Sequence, residues 1–167
     1  RYMISTTLQG SEDMFRQEYP ASPREAFIST GFPAFEAKAI LHQEKNLTRP
    51  TSIGYLERDK FVPTARGWLS VWREPQDGHQ YVIGVDTSEG LKEGDYACAQ
   101  VIDMGSLEQV AVLHGHIQPW DLADQLVQLG KWYNQAILAV EVQGSGRAVQ
   151  DYLNRRFSYS NLHLWRG

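Results

Sequence analysis

The stretch at residues 81–95, YVIGVDTSEGLKEGD, constrains the fold of this chain more than any other part of it. It begins with apolar and β-branched residues that predict a largely buried strand. That strand ends at Asp86 and is followed by a polar turn that contains two glycines. A carboxylate at the end of a buried strand is costly unless a cation or a set of donors offsets its charge. Asp86 is therefore either the cap of a turn or part of a cation site.

A second acid occupies the same kind of position further along the chain. Residues 137–142, ILAVEV, predict another buried strand, and Glu141 lies near its end, just before a Gly-Ser-Gly turn. Two acids that end two buried strands form the sequence pattern of a divalent-metal site. Hard oxygen ligands without a neighbouring pair of thiolates favour Mg²⁺ or Mn²⁺.

The predicted topology brings these two acids together. Three strands joined by tight turns predict an antiparallel meander, and the next strand follows a helix that begins at Pro119. A right-handed crossover would place that strand parallel to the first and beside it, so Asp86 and Glu141 would be neighbours. We therefore expect an α/β fold with a mixed sheet, in which the elements follow the order β-β-β-α-β-α-β. The second helix is expected near 146–157, and the strands are expected near 80–86, 96–104, 109–117, 137–142 and 161–165.

The N-terminal half is less regular. Residues 1–47 predict an irregular and helical extension, in which one short helix begins at Ser22, followed by proline, and another lies within 34–47. Residues 48–78 are punctuated by proline and glycine, which predicts a linker or a small β segment that includes the strand GWLSVWREP. The regular domain is expected to occupy residues 79–167.

Composition limits the classes of protein that fit. The chain has 167 residues, of which 42% are apolar, enough to bury a core. Its apolar runs are strand-length, so we expect no membrane span and no signal peptide. The single cysteine, Cys98, allows no internal disulfide and favours a reducing compartment. A net charge of −4 neither indicates nor excludes a nucleic-acid partner. The first residue is Arg1, and we expect a fragment of a longer protein.

Other polar residues near the two acids allow two interpretations each. Asp95 either assists at a metal site or caps the turn before the second strand, and Glu89 is a weaker auxiliary ligand. The segment Gly144-Ser145 either presents backbone N–H groups to a phosphate or forms a tight strand-to-helix turn. Four basic residues would contact a nucleic-acid backbone: Lys92, Arg147, Arg155 and Arg156. A solvated helix face explains the last two equally well.

Several other chemistries find no support. His114 and His116 share one face of a predicted strand, but without a third ligand their packing on the surface is the more economical interpretation. Neither a GxSxG elbow nor a GxxxxGK[ST] phosphate loop is present in the sequence. The chain is therefore not expected to hydrolyse ATP or to use a serine nucleophile.

Three segments resemble the large subunit of tailed-phage or prophage DNA-packaging terminases. FRQEYPASPREAFISTG, at residues 15–31, is similar to the segment that leaves the ATPase domain of this family. GVDTSEGLKEGDYA at 84–97 and AVEVQGSG at 139–146 are similar to the two first acidic motifs of its ribonuclease H-like nuclease domain. By this resemblance residues 1–47 would be the ATPase tail, 48–78 a linker, and 79–167 a nuclease domain truncated at its C-terminus.

The resemblance implies a metal-dependent endonuclease that cuts concatemeric double-stranded DNA in the host bacterial cytoplasm. Asp86 and Glu141 would be ligands of two Mg²⁺ or Mn²⁺ ions, Asp95 the auxiliary acid, and Glu89 part of the same loop. The family's third metal-binding Asp would lie beyond Gly167, and its ATPase motifs would lie upstream, so this chain would hold an incomplete site. The expected partners are DNA, the portal protein and the small terminase subunit, and no membrane.

Two alternatives remain open at this point, and a third class does not fit the chain. A catalytically incomplete module could serve in DNA binding or assembly without cutting. A transposase or junction resolvase would share the ribonuclease H-like fold but would leave the EYPASPREAF segment unexplained. An actin-like kinase would need a further phosphate loop and a second domain, for which the chain has no room.

Overall fold

A computed structural model describes residues 36–163, and the chain divides into two compact units, Arg1–Thr48 and Arg49–Gly167. The first unit contains helix α1 (Ala37–Lys45), which confirms the helix predicted within residues 34–47. It ends at Asn46, whose side-chain amide donates to the carbonyl of His42 at 2.9 Å. The helix predicted to begin at Ser22 lies outside the described residues, and the assignment of residues 1–47 to an ATPase domain stays a prediction.

The second unit is built on one mixed sheet of eight strands in the order β2-β1-β3-β6-β5-β4-β7-β8. Two helical segments follow the sixth and seventh strands along the chain. The strands are β1 (Ser52–Glu57), β2 (Lys60–Pro63), β3 (Leu69–Val71), β4 (Tyr81–Asp86), β5 (Ala97–Asp103), β6 (Gln109–Gly115), β7 (Ile137–Val140) and β8 (Leu162–His163), and the helices are α2 (Pro119–Trp132) and α3 (Gly146–Asp151), which continues as a π-helical turn (Tyr152–Arg156).

The predicted topology of the C-terminal half is confirmed. Strands β4, β5 and β6 form the antiparallel meander, and β7 returns through α2 to pair with β4 in parallel. Strand β8 adds to β7, also in parallel. The predicted single helix at 146–157 differs, because its second half is π-helical. There the N–H of Phe157 bonds to the carbonyl of Tyr152 at 3.2 Å while Leu153 stays fully buried.

Residues 48–78 form part of the main sheet, where the sequence predicted only a linker or a small β segment. Their three strands continue the same sheet, because β3 pairs antiparallel with β6 and β1 pairs with both β2 and β3. Leu56, Leu69 and Val71 are almost fully buried and extend the core under these strands. The hairpin between β1 and β2 turns at Arg58 and Asp59, which both adopt left-handed backbone angles (φ 51° and 61°), as a two-residue hairpin of this kind requires.

Side-chain alternation along β4 divides the sheet into a buried and an open face. Tyr81, Ile83 and Val85 point into the core beneath α2, whereas Gly84 and Asp86 are exposed on the other face. The helix α2 covers the core with its apolar stripe, which includes three fully buried leucines, Leu122, Leu126 and Leu129. This alternation leaves the acid at the end of β4 outside the core. Within residues 36–163, every helix is too short or too polar to cross a bilayer.

Two buried tyrosines complete this core by donating to backbone carbonyls. The hydroxyl of Tyr159 donates to the carbonyl of Ala136 at 2.7 Å, and burial raises the pKa of Tyr159 to about 12. The hydroxyl of Tyr133 donates to the carbonyl of Arg73 at 2.8 Å, and burial raises its pKa further. Both phenols therefore stay neutral donors at physiological pH.

A buried carboxylate anchors the end of β4 that lies away from Asp86. The side chain of Asp103, opposite Tyr81 in β5, is fully buried and accepts from Nδ1 of His79 at 2.7 Å and from the backbone N–H of Gly105 at 2.8 Å. The hydrogen bond from His79 lowers the pKa of Asp103 below its usual value, and the backbone N–H groups of Gly105 and Ser106 add to this shift. The ionised carboxylate is therefore the form that this site stabilises.

This site predicts a specific acid sensitivity of the fold. Since the pKa of Asp103 is lower in the folded than in the unfolded chain, its stabilisation is complete above the unfolded value of about 4. It is lost as the pH falls through the lower folded value. We expect urea unfolding between about pH 2 and pH 5 to show a shallower pH dependence in Asp103→Asn than in the parent. The exposed Asp77→Asn is the control, and equal slopes in the parent and Asp103→Asn would contradict the assignment.

Candidate metal centre

Asp86 and Glu141 lie side by side at the carboxyl ends of β4 and β7. The parallel pairing aligns Val85 with Val140, and the N–H of Glu141 donates to the carbonyl of Val85 at 3.0 Å. Neighbouring strands of a sheet are about 4.8 Å apart, so the two acids leave the sheet at adjacent points. Both are exposed, since the valines before them occupy the buried face.

Asp86 and Glu141 line a cleft of about 400 Å³ between the loops that follow β4 and β7. Two further acids, Glu89 and Asp95, line the same cleft. The structure thus gathers all four acids that the sequence singled out. The remaining lining residues are Thr87, Ser88, Leu91, Gly94, Gln143, Gly144 and Ser145.

The loop after β4 is held against the start of α2. Gly90 has a left-handed backbone (φ 70°), and a Cβ there would lie 2.7 Å from the carbonyl oxygen of Ile117. The side-chain amide of Gln118 donates to the carbonyl of Gly90 at 3.0 Å. On the inner side of the loop, the buried hydroxyl of Ser88 accepts from the N–H of Gly90 at 3.3 Å. These contacts fix the wall of the cleft that carries Glu89.

The loop after β7 is a tight strand-to-helix turn. The N–H of Gly146 donates to the carbonyl of Gln143 at 2.9 Å, and a Cβ on Gly146 would lie only 1.7 Å from the carbonyl oxygen of Glu141. The hydroxyls of Ser145 and Thr87 are 3.1 Å apart and join the two loops. The following helix, α3, has six residues and receives no side-chain cap from Ser145. This geometry favours the turn interpretation of the Gly-Ser-Gly segment over a dedicated phosphate site.

The carboxylates of the cleft have no protein partner among residues 36–163. In the part of the chain that the structure describes, none of the four carboxylates forms a hydrogen bond or an ion pair with a protein group. For Asp95 this means that no side-chain bond caps its turn, which is closed by the N–H of Gly94 donating to Leu91. The predicted basic residues Lys92 and Arg147 are exposed but do not line the cleft. Such a concentration of one sign of charge attracts cations.

The donor set suits a hard, hydrated cation. Among residues 36–163, no three His, Cys, Asp or Glu side chains converge as a ready-made metal cage. A pair of exposed carboxylates is nevertheless what Mg²⁺ commonly uses, because it keeps several waters and adds ligands from substrate phosphates. Asp86 and Glu141 therefore fit a divalent oxygen-binding ion. They do not fit a closed zinc site, which takes four ligands and commonly nitrogen or sulfur donors.

Sequence patterns did not single out three polar residues that line this cleft. Thr87 and Ser88 follow Asp86 directly, and Gln143 follows Glu141 by two positions. Only their closeness in sequence to Asp86 and Glu141 could have identified them as cleft residues. The hydroxyl pair that joins Thr87 to Ser145 depends on the crossover, which no local pattern encodes.

Comparison with known protein families gives one match that includes both acids. Residues 83–164 match the family described as the terminase RNaseH-like domain. The matched segment begins within β4 and covers the cleft in full. The curated proteins yield no match to this chain.

The fold is also similar to solved nuclease structures. A crystal structure of the large terminase nuclease from thermophilic phage G20c with bound cobalt has a TM-score of 0.51 and 18% identity, covering 71% of this chain and 57% of that chain. The structure of the same nuclease with bound zinc has a TM-score of 0.50 and 20% identity, covering 68% and 59%. The chain thus spans less than two thirds of these nucleases, and at this identity the likeness shows the fold. The predicted ribonuclease H-like fold is confirmed.

Proposed function

Because residues 83–164 match the terminase RNaseH-like domain, we propose that this chain is the nuclease part of a phage DNA-packaging terminase. Its substrate would be concatemeric double-stranded DNA, and its reaction the hydrolysis of a phosphodiester. The observation that carries the proposal is the pair of exposed carboxylates, Asp86 and Glu141, side by side at the ends of parallel strands within that domain.

Asp86 and Glu141 would hold Mg²⁺ or Mn²⁺, and a complete site would hold two ions. Divalent ions supply phosphodiester hydrolysis with a stronger nucleophile and with compensation for the negative charge on the phosphate. The role of the protein is then to keep both carboxylates at fixed positions, which the β4–β7 pairing and the contact between Thr87 and Ser145 do. Glu89 and Asp95 would contribute outer ligands or orient water. Cobalt and zinc bound to the related phage nuclease support a divalent ion.

The DNA would approach across the open rim of the cleft. Lys92, on the loop after β4, and Arg147, in the first turn of α3, are both exposed and would neutralise backbone phosphates on either side of the cleft. The backbone at Gly144 and Ser145 lines the cleft between them. The bound cations would offset the acidic interior, which explains how a chain of net charge −4 can take a polyanion.

The wider setting follows from the family. A packaging nuclease would work in the host bacterial cytoplasm with the portal protein and the small terminase subunit. In that setting a third metal-binding Asp would come from a segment C-terminal to residue 167. The two-carboxylate arrangement favours a second candidate function, a DNA-binding or assembly module that does not cut, because no three-ligand cage lies within residues 36–163.

Metal removal tests the proposal. We expect the chain to nick supercoiled plasmid in the presence of Mn²⁺ or Mg²⁺. Excess EDTA should abolish the nicking, and addition of Mn²⁺ should restore it. The readout is the conversion of supercoiled to open-circular plasmid, beside Mn²⁺ binding followed by electron paramagnetic resonance. Cutting that persists in EDTA would reject the metal mechanism. DNA binding and Mn²⁺ binding without any cutting would favour the assembly module.

A further inference from the structure

Three aromatic side chains form a stacked cluster beside the metal centre. The ring of Tyr96 stacks on His116 with a centroid distance of 3.9 Å and an interplanar angle of 28°, and on His114 at 4.6 Å and 21°. Tyr96 is 52% exposed. We call Tyr96, His114 and His116 the tyrosine platform.

The pairing of the strands places the platform next to the carboxylates. Asp86 pairs with Cys98, which in turn pairs with His114, so these three residues form one row across β4, β5 and β6. Tyr96 precedes Cys98 by two positions and therefore lies on the same open face of the sheet. Strand spacing puts the Cα atoms of Tyr96 and Asp86 on the order of 8 Å apart. That separation lies within the reach of one or two nucleotides of a bound strand.

The environment of the platform fits ligand contact better than packing. Tyr96 forms no hydrogen bond within the described residues, yet two imidazoles fix the plane of its ring. A residue whose ring is held against two imidazoles while about half of the residue's surface remains exposed is preorganised for stacking. Metal binding by the two histidines is not supported, because the described part of the chain contains no three-ligand group. The buried Nδ1 of His116 has no hydrogen-bond partner within the described residues.

We propose that the tyrosine platform stacks on an unpaired base of the DNA strand held at the Asp86–Glu141 centre. This inference rests on the proposed nuclease function and adds a preference for DNA structure. Aromatic side chains stack on bases only when those bases are released from the helix, and such stacking tolerates any sequence. The platform would therefore favour frayed ends, single strands and unpaired segments over intact duplex, without reading sequence.

Binding measurements with three probes test the platform. Fluorescence anisotropy would compare a labelled single strand, its full duplex and a duplex with a central unpaired segment, with Ca²⁺ in place of Mn²⁺. We expect Tyr96→Ala to weaken binding of the single strand and the unpaired segment about 5- to 150-fold and to change duplex binding by less than about twofold. Tyr96→Phe should retain parent affinity, because it keeps the ring.

Two further variants control for misfolding and for the general loss of an exposed tyrosine. Tyr96→Leu keeps a branched apolar side chain without a π face, so it should reproduce the loss even if Tyr96→Ala folds poorly. Tyr55→Ala removes another exposed tyrosine, on β1, and should leave all three affinities unchanged. Equal losses on all three probes, or no loss on any, would overturn the platform.

The same assay separates this inference from the nuclease proposal. If the parent does not cut but Tyr96→Ala selectively loses unpaired DNA, the platform stands and the nuclease proposal fails. If the parent cuts in a metal-dependent manner and Tyr96→Ala binds every probe normally, the nuclease stands and the platform is rejected.

Discussion

Replacing Asp86 with asparagine is expected to lower the rate of Mn²⁺-dependent plasmid nicking at least about a hundredfold. The substitution keeps the size of the side chain and removes the charge that would hold the ion. Metal ions stabilise the transition state by several kcal/mol, and each 1.4 kcal/mol is a tenfold change in rate. Single-turnover rates, measured with chain in excess over plasmid, report this loss directly.

Glu93→Gln is the matched control for that experiment. Glu93 is an exposed acid of the same loop that does not line the cleft, so its neutralisation should leave the nicking rate near that of the parent. DNA affinity measured in EDTA, where no ion is bound and no cutting occurs, should be unchanged or slightly higher in Asp86→Asn, because a negative charge is removed. Parent-like nicking by Asp86→Asn would show that the cleft is not the catalytic centre.

Gly146→Ala is expected to be almost as damaging, although it changes no charged group. The added methyl would overlap the carbonyl oxygen of Glu141 at 1.7 Å, so the turn or the end of β7 must move. Displacements of about 1 Å at a catalytic group cost on the order of a hundredfold in rate, and overpacking costs about 1–3 kcal/mol of stability. We therefore expect a large loss of nicking with a lowered melting temperature.

Gly84→Ala controls for the general effect of adding a methyl group near the centre. Gly84 lies two positions before Asp86 on the open face, where an added Cβ meets no atom within 4 Å. Its nicking rate and melting temperature should stay close to those of the parent. A Gly146→Ala variant with parent-like nicking would contradict the claim that this turn fixes Glu141.

Local patterns were sufficient to predict the part of the fold that carries the acids. The alternation at residues 81–86 and the apolar spacing after Pro119 are encoded by neighbouring residues, and β4 and α2 formed where they were expected. The handedness of crossovers then placed β7 beside β4. The sequence alone therefore predicts that Asp86 and Glu141 are neighbours, although their roles as ligands stay predictions.

Contacts between distant segments set the features that the sequence did not reveal. The strands within 48–78 are short and interrupted by glycine and proline, and they become part of the sheet only through the pairing of β3 with β6. The stacking of Tyr96 on His116 likewise needs β5 and β6 in register. Periodicity along one segment cannot report which strand will lie beside it.

The parallel pairing of β4 with β7 also determines when the candidate metal centre can form. Strands β5 and β6 and helix α2 lie between Asp86 and Glu141 in the sequence, so the two acids meet only when the crossover closes and β7 pairs with β4. Contacts between residues so far apart in sequence form slowly, because the entropy of closing the loop must be overcome first. A newly made or partly unfolded chain therefore has two unpaired acids and no centre. Under the proposed function, cutting would therefore become possible only after synthesis and folding have passed residue 141.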